Sequence, residues 1–222
     1  MNREYDVIVV GAGPGGSTTA RFCAQAGLRT LLIEKDRLPR DKPCGGCLSL
    51  KSVRLIEFDL TPVIENTIFG VKFTYRLKDP VLIRSNNPIG YMVMRERFDQ
   101  FLVERALEEG TALIEGEKVI KVAEKDEGVE VQLARGRRFL CDYVVGADGP
   151  ESLVARSFAP SPPRGIGWGI AVESKIPFES VMDFPKEQQA LIHLDFGGVP
   201  NGYGWVFPKR EGLSIGIGGM FQ

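Results

Sequence analysis

Residues 5–16 read YDVIVVGAGPGG, a short β-branched run that ends without warning in a turn with four glycines. The run does not alternate, which is the pattern of a strand covered on both faces. After it, residues 17–27, STTARFCAQAG, place Ala20, Cys23 and Ala24 at helical spacing and stop at Gly27. Residues 29–35, RTLLIEK, then form a second strand with Glu34 near its end. Strand, glycine turn, helix and acid-terminated strand together supply the context that a dinucleotide fingerprint requires. Within it, Gly11 permits the tight turn, Gly13 lets backbone approach a pyrophosphate, and Gly16 lets the helix pack close to the strand. The helix N-terminus offers its free N–H groups to the phosphates. A carboxylate at Glu34 accepts hydrogen bonds from a ribose diol and repels a 2'-phosphate, so the site is expected to take FAD or NAD and not NADP.

Composition bounds the rest. The chain has 222 residues, 43% hydrophobic and 26% charged, with 28 Lys and Arg against 29 Asp and Glu. That near-balance argues against a broad basic surface for nucleic acid. No stretch reaches the roughly 18 to 20 apolar residues that span a bilayer, and MNREYDVIVV carries no signal-peptide pattern. A cytoplasmic protein is expected. Four cysteines (Cys23, Cys44, Cys47 and Cys141) in a chain of this length do not make a disulfide framework.

Downstream, residues 67–77 and 88–94 look like strands separated by KDPVLIRSNN, and residues 95–110 place Phe98, Phe101, Leu102, Arg105 and Ala106 on helical offsets ending at Gly110. Residues 112–149 alternate, with turns at 126–128 and 135–136, as a β-meander followed by a buried strand, YVVGADG. APSPPRG at 159–165 has linker composition, and strand-like segments resume at WGIAVESKI, ALIHLDF, GYGWVFPK and LSIGIGGM. The simplest reading is an α/β protein of two interleaved lobes. Residues 1–66 and 95–160 form a Rossmann-like domain with a β-meander, and 67–94 and 161–222 form an antiparallel-sheet substrate domain.

Residues 41–49, DKPCGGCLS, pose a separate question. A structural zinc site wants four ligands, and only Cys23, Cys141 and His193 remain to complete one, none suitably placed. A disulfide-exchange motif belongs at a helix N-terminus. In GYGWVFPK, Tyr203, Trp205 and Phe207 alternate and so share one sheet face, a stripe that by itself reads as core more readily than as pocket.

VVGAGPGGS, DKPCGGCLS, MRERFDQFL, VVGADGPESLVAR and GYGWVFPKREGLSIGIGG occur in that order, and together they resemble the FAD-dependent geranylgeranyl reductase family, a branch of the para-hydroxybenzoate-hydroxylase-like flavoproteins. The resemblance implies that FAD lies with its pyrophosphate along Gly13 and Gly15 and its adenosine ribose at Glu34. It implies that Arg95 faces the flavin nucleotide, that Val119 supplies backbone groups near the adenine, and that Asp148 and Gly149 lie beside the cofactor with Arg156 downstream. It places Cys44 near the flavin as a positioning group or weak proton donor, with Gly45 and Gly46 letting backbone pass a flat ring. Cys47 has no assigned role beyond packing as a small buried residue. Tyr203, Trp205 and Phe207 become a wall for an isoprenoid. The implied activity is reduction of C=C bonds in a prenyl lipid or prenylated pigment, with NADPH, NADH or reduced ferredoxin as electron donor and peripheral contact at the inner membrane face. A monooxygenase or halogenase on the same scaffold, and a nucleotide-binding module without turnover, stay open. The family carries a further Gly-Asp motif beyond the sheet segments, and the sequence reaches Gln222 without one, so a fragment or a shortened relative is expected.

Overall fold

The computed structural model describes residues 3–159, 167–181 and 184–221. The chain opens with β1 (Val7–Val10), α1 (Pro14–Gln25), β2 (Thr30–Glu34), β3 (Cys47–Ser49) and α2 (Leu50–Val53). It continues through β4 (Ile64–Ile68), β5 (Gly70–Tyr75), β6 (Lys78–Arg84), β7 (Gly90–Val93) and α3 (Arg95–Glu108). Next come β8 (Ala112–Glu115), β9 (Val119–Lys125), β10 (Gly128–Leu133), β11 (Arg138–Cys141), β12 (Tyr143–Gly146) and α4 (Leu153–Phe158). The chain closes with β13 (Trp168–Pro177), β14 (Leu191–Phe196), β15 (Gly202–Pro208) and β16 (Gly212–Phe221). Among the described residues, no helix is long and apolar enough to cross a membrane.

Two compact units divide these elements, Met1–Arg40 with Glu96–Arg164 and Asp41–Arg95 with Gly165–Gln222. Residues 41–66, expected with the nucleotide-binding segments, therefore belong to the second unit. Their strands β3 and β4 pair with β7 and not with β1 or β2. The expected linker at 159–165 lies, apart from Ala159, outside the described residues.

The first unit is built on a parallel sheet of order β12-β1-β2-β8. Because successive side chains point to opposite faces, Ile8 and Val10 enter one core and Val7 and Val9 another. On one face Ile8, Val10, Leu31 and Ile33 meet Val119, Val131 and Leu133 of the antiparallel sheet β11-β10-β9. On the other, Val7, Val9 and Leu32 meet Ala20 of α1 and Val103 and Ala106 of α3. All four residues of β1 are buried, which is why its sequence shows no alternation.

The second unit holds a six-stranded sheet, β13-β16-β15-β14-β5-β6, and a three-stranded one, β3-β7-β4. Residues 78–84, read from sequence as a connection, are the strand β6. Its hairpin to β5 turns through Arg76 and Leu77 at φ 52° and 61°, left-handed conformations usually announced by Asn-Gly. Asp195 holds that turn by accepting the Leu77 N–H at 2.6 Å. Pro80 is tolerated because β6 is an edge strand.

Candidate functional site

In the first unit the glycine turn is shaped by backbone packing. Gly11 sits at φ +99°, and a Cβ there would stand 2.4 Å from the Ala147 carbonyl oxygen. A Cβ on Gly16 would fall 1.7 Å from the Gly11 carbonyl oxygen, so α1 lies directly on the turn. Gly13 is the N-cap of α1, Pro14 fills its first position, and the first turn contains no acidic residue. Gly15 has open space where its Cβ would be, with no described atom within 4 Å. An uncapped helix start with clear space before it suits a phosphate group.

Glu34 brings a carboxylate to the same turn and is only 4% exposed. Its Oε2 accepts the Ala12 N–H at 2.8 Å and an Arg40 guanidinium N–H at 3.3 Å, and its Oε1 accepts the Asp36 N–H at 3.2 Å. A carboxylate has about four acceptor sites. These three contacts leave room on Oε1 for a ribose hydroxyl. Arg40 also donates to Asp99 Oδ2 at 2.9 Å, and Asp99 is fully buried. This Glu34–Arg40–Asp99 chain escaped the sequence reading. The available signal was Asp99 itself, a charge on the helix face that buries Phe98, Leu102 and Val103. These features fit an adenosine diphosphate moiety, with phosphate at the helix start and a ribose hydroxyl at Glu34.

The remaining first-unit residues play visible structural parts. Val119 is buried in the core beneath the meander. The Asp148 carboxylate accepts the Ser152 hydroxyl at 2.5 Å and the Leu153 N–H at 2.7 Å, so it caps α4, while Gly149 sits at φ +90° with open space before it. Arg156 is an exposed residue of α4.

Arg95, partly buried, ends the first stretch of the second unit, whose other candidate is the CGGC loop. Cys44 is exposed, and its Sγ accepts the Gly46 N–H at 3.4 Å. Cys47 begins β3 and is also exposed, in place of the buried packing role expected for it. Gly45 and Gly46 have reasons inside the protein. A Cβ on Gly45 would come within 2.7 Å of the Phe207 ring, and Gly46, at φ +62°, would direct one to 2.1 Å from the Val93 carbonyl oxygen.

Two further side chains hold the loop. Glu173 of β13 accepts the Cys44 N–H at 2.5 Å and the Ser214 hydroxyl at 2.7 Å, and Ser214 accepts the Trp205 indole N–H at 3.3 Å. Lys209, only 7% exposed, donates to the carbonyls of Gly45 at 2.5 Å, Gly46 at 3.2 Å and Val93 at 3.0 Å. Burial pulls its ammonium pKa down to about 8, against the opposing attraction of Cys47, Glu173, Cys44 and Glu65. Neither residue was singled out from sequence, although Lys209 directly follows the apolar run of β15.

Tyr203, Trp205 and Phe207 do share a face, in an aromatic row continued by Phe196, with neighbouring centroids 6.0 to 6.1 Å apart. Trp205 and Phe207, expected in a ligand wall, are core residues packed with Ile68 and Met92. Trp205 lies over Gly216, where a Cβ would be 2.0 Å from its ring. Only Tyr203 and Phe196 remain well exposed. Elsewhere in the unit, Ile170, Val172, Val199, Pro200, Ile217 and Met220 line an apolar cavity of about 400 Å3.

Residues 4–165 match the family described as the FAD binding domain. The digeranylgeranylglycerophospholipid reductase of Thermoplasma volcanium is 32% identical over 237 residues, covering 96% of this chain and 56% of the relative. The crystal structure of a geranylgeranyl bacteriochlorophyll reductase-like protein from Thermoplasma acidophilum superposes with a TM-score of 0.83 at 29% identity, over 98% of this chain and 57% of that one. The halogenase PltM, solved with FAD, gives 0.77 at 20% identity over 97% of this chain and 52% of that one, a likeness of fold alone. The chain spans about half the length of the curated relatives it matches.

Proposed function

The chain belongs to the FAD binding domain family, and from that premise we propose that it is the FAD-holding portion of an oxidoreductase that saturates C=C bonds of a prenyl lipid or prenylated pigment. The observation that carries the FAD assignment is the buried Glu34 carboxylate, fixed at the glycine turn with one acceptor position left. The prenyl assignment draws support from reductases named for geranylgeranyl compounds at 29 to 32% identity.

In this reading Gly13 and Gly15 lie along the pyrophosphate, Glu34 takes a ribose hydroxyl, and backbone at Val119 and Gly149 flanks the nucleotide. Arg95 pairs with phosphate or ribityl oxygens, for which a guanidinium is suited. Bound FAD, once reduced, supplies a hydride. The chain's own task is to align and desolvate an isolated alkene, which accepts hydride poorly without help. Cys44 positions the reacting group or holds a proton near it. Tyr203 and the apolar cavity lined by Ile170, Val172 and Ile217 offer surfaces that bury hydrocarbon without demanding hydrogen bonds.

The test is twofold. The purified protein is titrated with FAD and FMN, and the whole protein is then incubated anaerobically with a reduced nicotinamide or ferredoxin and a prenyl lipid. Preferential FAD binding and a product gaining one H2 per reduced bond support the reading. Equal retention of FMN and FAD removes the cofactor assignment. Oxygenated or halogenated product in air, without alkene reduction, replaces the reductase with a monooxygenase or halogenase.

A further inference from the structure

The CGGC loop is gripped from two sides by residues far away in sequence. At its start, Glu173 Oε2 accepts the Cys44 N–H at 2.5 Å. At its centre, Lys209 Nζ donates to the carbonyls of Gly45 and Gly46, and the third donor goes to Val93 O on the neighbouring strand β7. The Gly46 carbonyl also receives the Val93 N–H at 2.8 Å. Lys209 therefore ties loop to strand where the backbone pairing begins. An ammonium has three donors and no acceptor, and here three backbone carbonyls meet them. A lysine is almost never buried unless paired; this one sits at 7% exposure, held by peptide carbonyls. Charge-assisted hydrogen bonds of this kind are about twice as strong as neutral ones.

We infer that Glu173 and Lys209 are positioning residues whose joint function is to fix the CGGC loop, and with it the direction of the Cys44 thiol. Glu173 fixes the peptide N–H of Cys44 itself, and Lys209 fixes the two peptides that follow. The glycines are needed because Phe207 fills the space beside Gly45 and Lys209 itself occupies the space beside Gly46, where a Cβ would stand 2.9 Å from Nζ. Only the consequence for turnover rests on the proposed flavin role of this loop; the clamp does not.

Amide hydrogen exchange tests the clamp with no cofactor needed. Glu173→Ala should accelerate exchange of the Cys44 amide about ten-fold, the loss expected for one charge-assisted hydrogen bond, and Glu173→Gln should restore protection because it keeps an acceptor oxygen. Lys209→Met should accelerate the Gly46 and Val93 amides while leaving Val9 of β1 unchanged, since a merely unstable protein would lose protection everywhere. Wild-type exchange in both Glu173→Ala and Lys209→Met overturns the clamp, as does failure of Glu173→Gln to restore protection. If Lys209→Met does not fold, the two Glu173 variants decide alone. FAD content is then measured on the same proteins. Faster exchange with lost FAD supports clamp and flavin loop together. Faster exchange with full FAD retention supports the clamp and removes the flavin reading of the loop.

Discussion

The GAGPGG turn and the CGGC loop are both glycine-rich, yet they are stabilised in opposite ways. In the turn, Gly16 packs on Gly11, and the acid that completes the site, Glu34, lies 22 residues from the N–H it binds. In the loop, Glu173 comes from 129 residues away and Lys209 from 164. The turn is specified by backbone contacts, of Gly16 with Gly11 and of Gly11 with Ala147 after β12, whereas the loop takes its shape from side chains delivered by strands far away in sequence. A glycine pair is therefore not by itself a sign of an approaching ligand. At Gly45 the flat ring that forbids a side chain belongs to Phe207.

Substitutions can break this contrast. The largest effect is expected for Gly16→Val, where a Cβ 1.7 Å from a backbone oxygen cannot be relieved by a rotamer change. A loss of roughly 4 kcal/mol or more should leave little folded protein, visible as an absent cooperative melt. Gly46→Ala adds a left-handed backbone to a collision with the Val93 carbonyl, and should cost roughly 2 to 4 kcal/mol in denaturant unfolding. If it costs less than Gly27→Ala, which has a positive φ but open space around it, the loop is not clamped. Glu34→Ala should weaken FAD by roughly 1 to 3 kcal/mol in titration calorimetry, and Arg40→Met should show part of the same loss because Glu34 and Asp99 lose their shared guanidinium.

A pH series sharpens the comparison at smaller scale. The Lys209 pKa falls from 10.5 to about 8 on folding. Between those values the unfolded chain holds a proton that the native state lacks, so this group makes stability rise with pH across the window and contributes no slope below it. Protein atoms around the Cys47 sulfur push its pKa up, which acts in the opposite sense at high pH. The measurement is therefore best made in a Cys47→Ser background, itself expected to be nearly silent. There, wild-type Lys209 should gain stability over Lys209→Met from about pH 8 to 10.5. A flat difference would show that the ammonium titrates normally.

The same contrast explains what was legible in the sequence. The parallel sheet, both helices flanking it and the meander turns follow from periodicity and glycine placement, all local signals. Strand β6 was hidden because Arg76 and Leu77 adopt a turn their residue types do not announce, and its stabiliser, Asp195, lies on another strand. The aromatic stripe was placed on the right sheet face, but its burial depends on the small Gly216 beside Trp205 and on Ile68 and Met92, which alternation cannot reveal. Arg40, Asp99, Glu173 and Lys209 are polar residues whose partners are set by tertiary structure, so their types alone gave no direction.

The ladder of β1 sets the order of assembly. Val7 pairs with Thr30 on one side and with Tyr143 on the other, and the segment 41–95 of the second unit intervenes. That unit is interrupted in turn, since Gly70 pairs with Leu191. Neither sheet can close until the intervening segment of the other unit has emerged, 41–95 for the first and 96–164 for the second, and loop closure over such distances slows folding. The βαβ start should therefore wait with one edge of β1 unpaired. In pulse-labelled refolding, the amides of Ile8 and Val145, which face each other across the β1–β12 ladder, should gain protection together and late, well after α1 and after Val9, whose amide faces β2; early protection of Ile8 and Val145 would show that β12 docks without that delay.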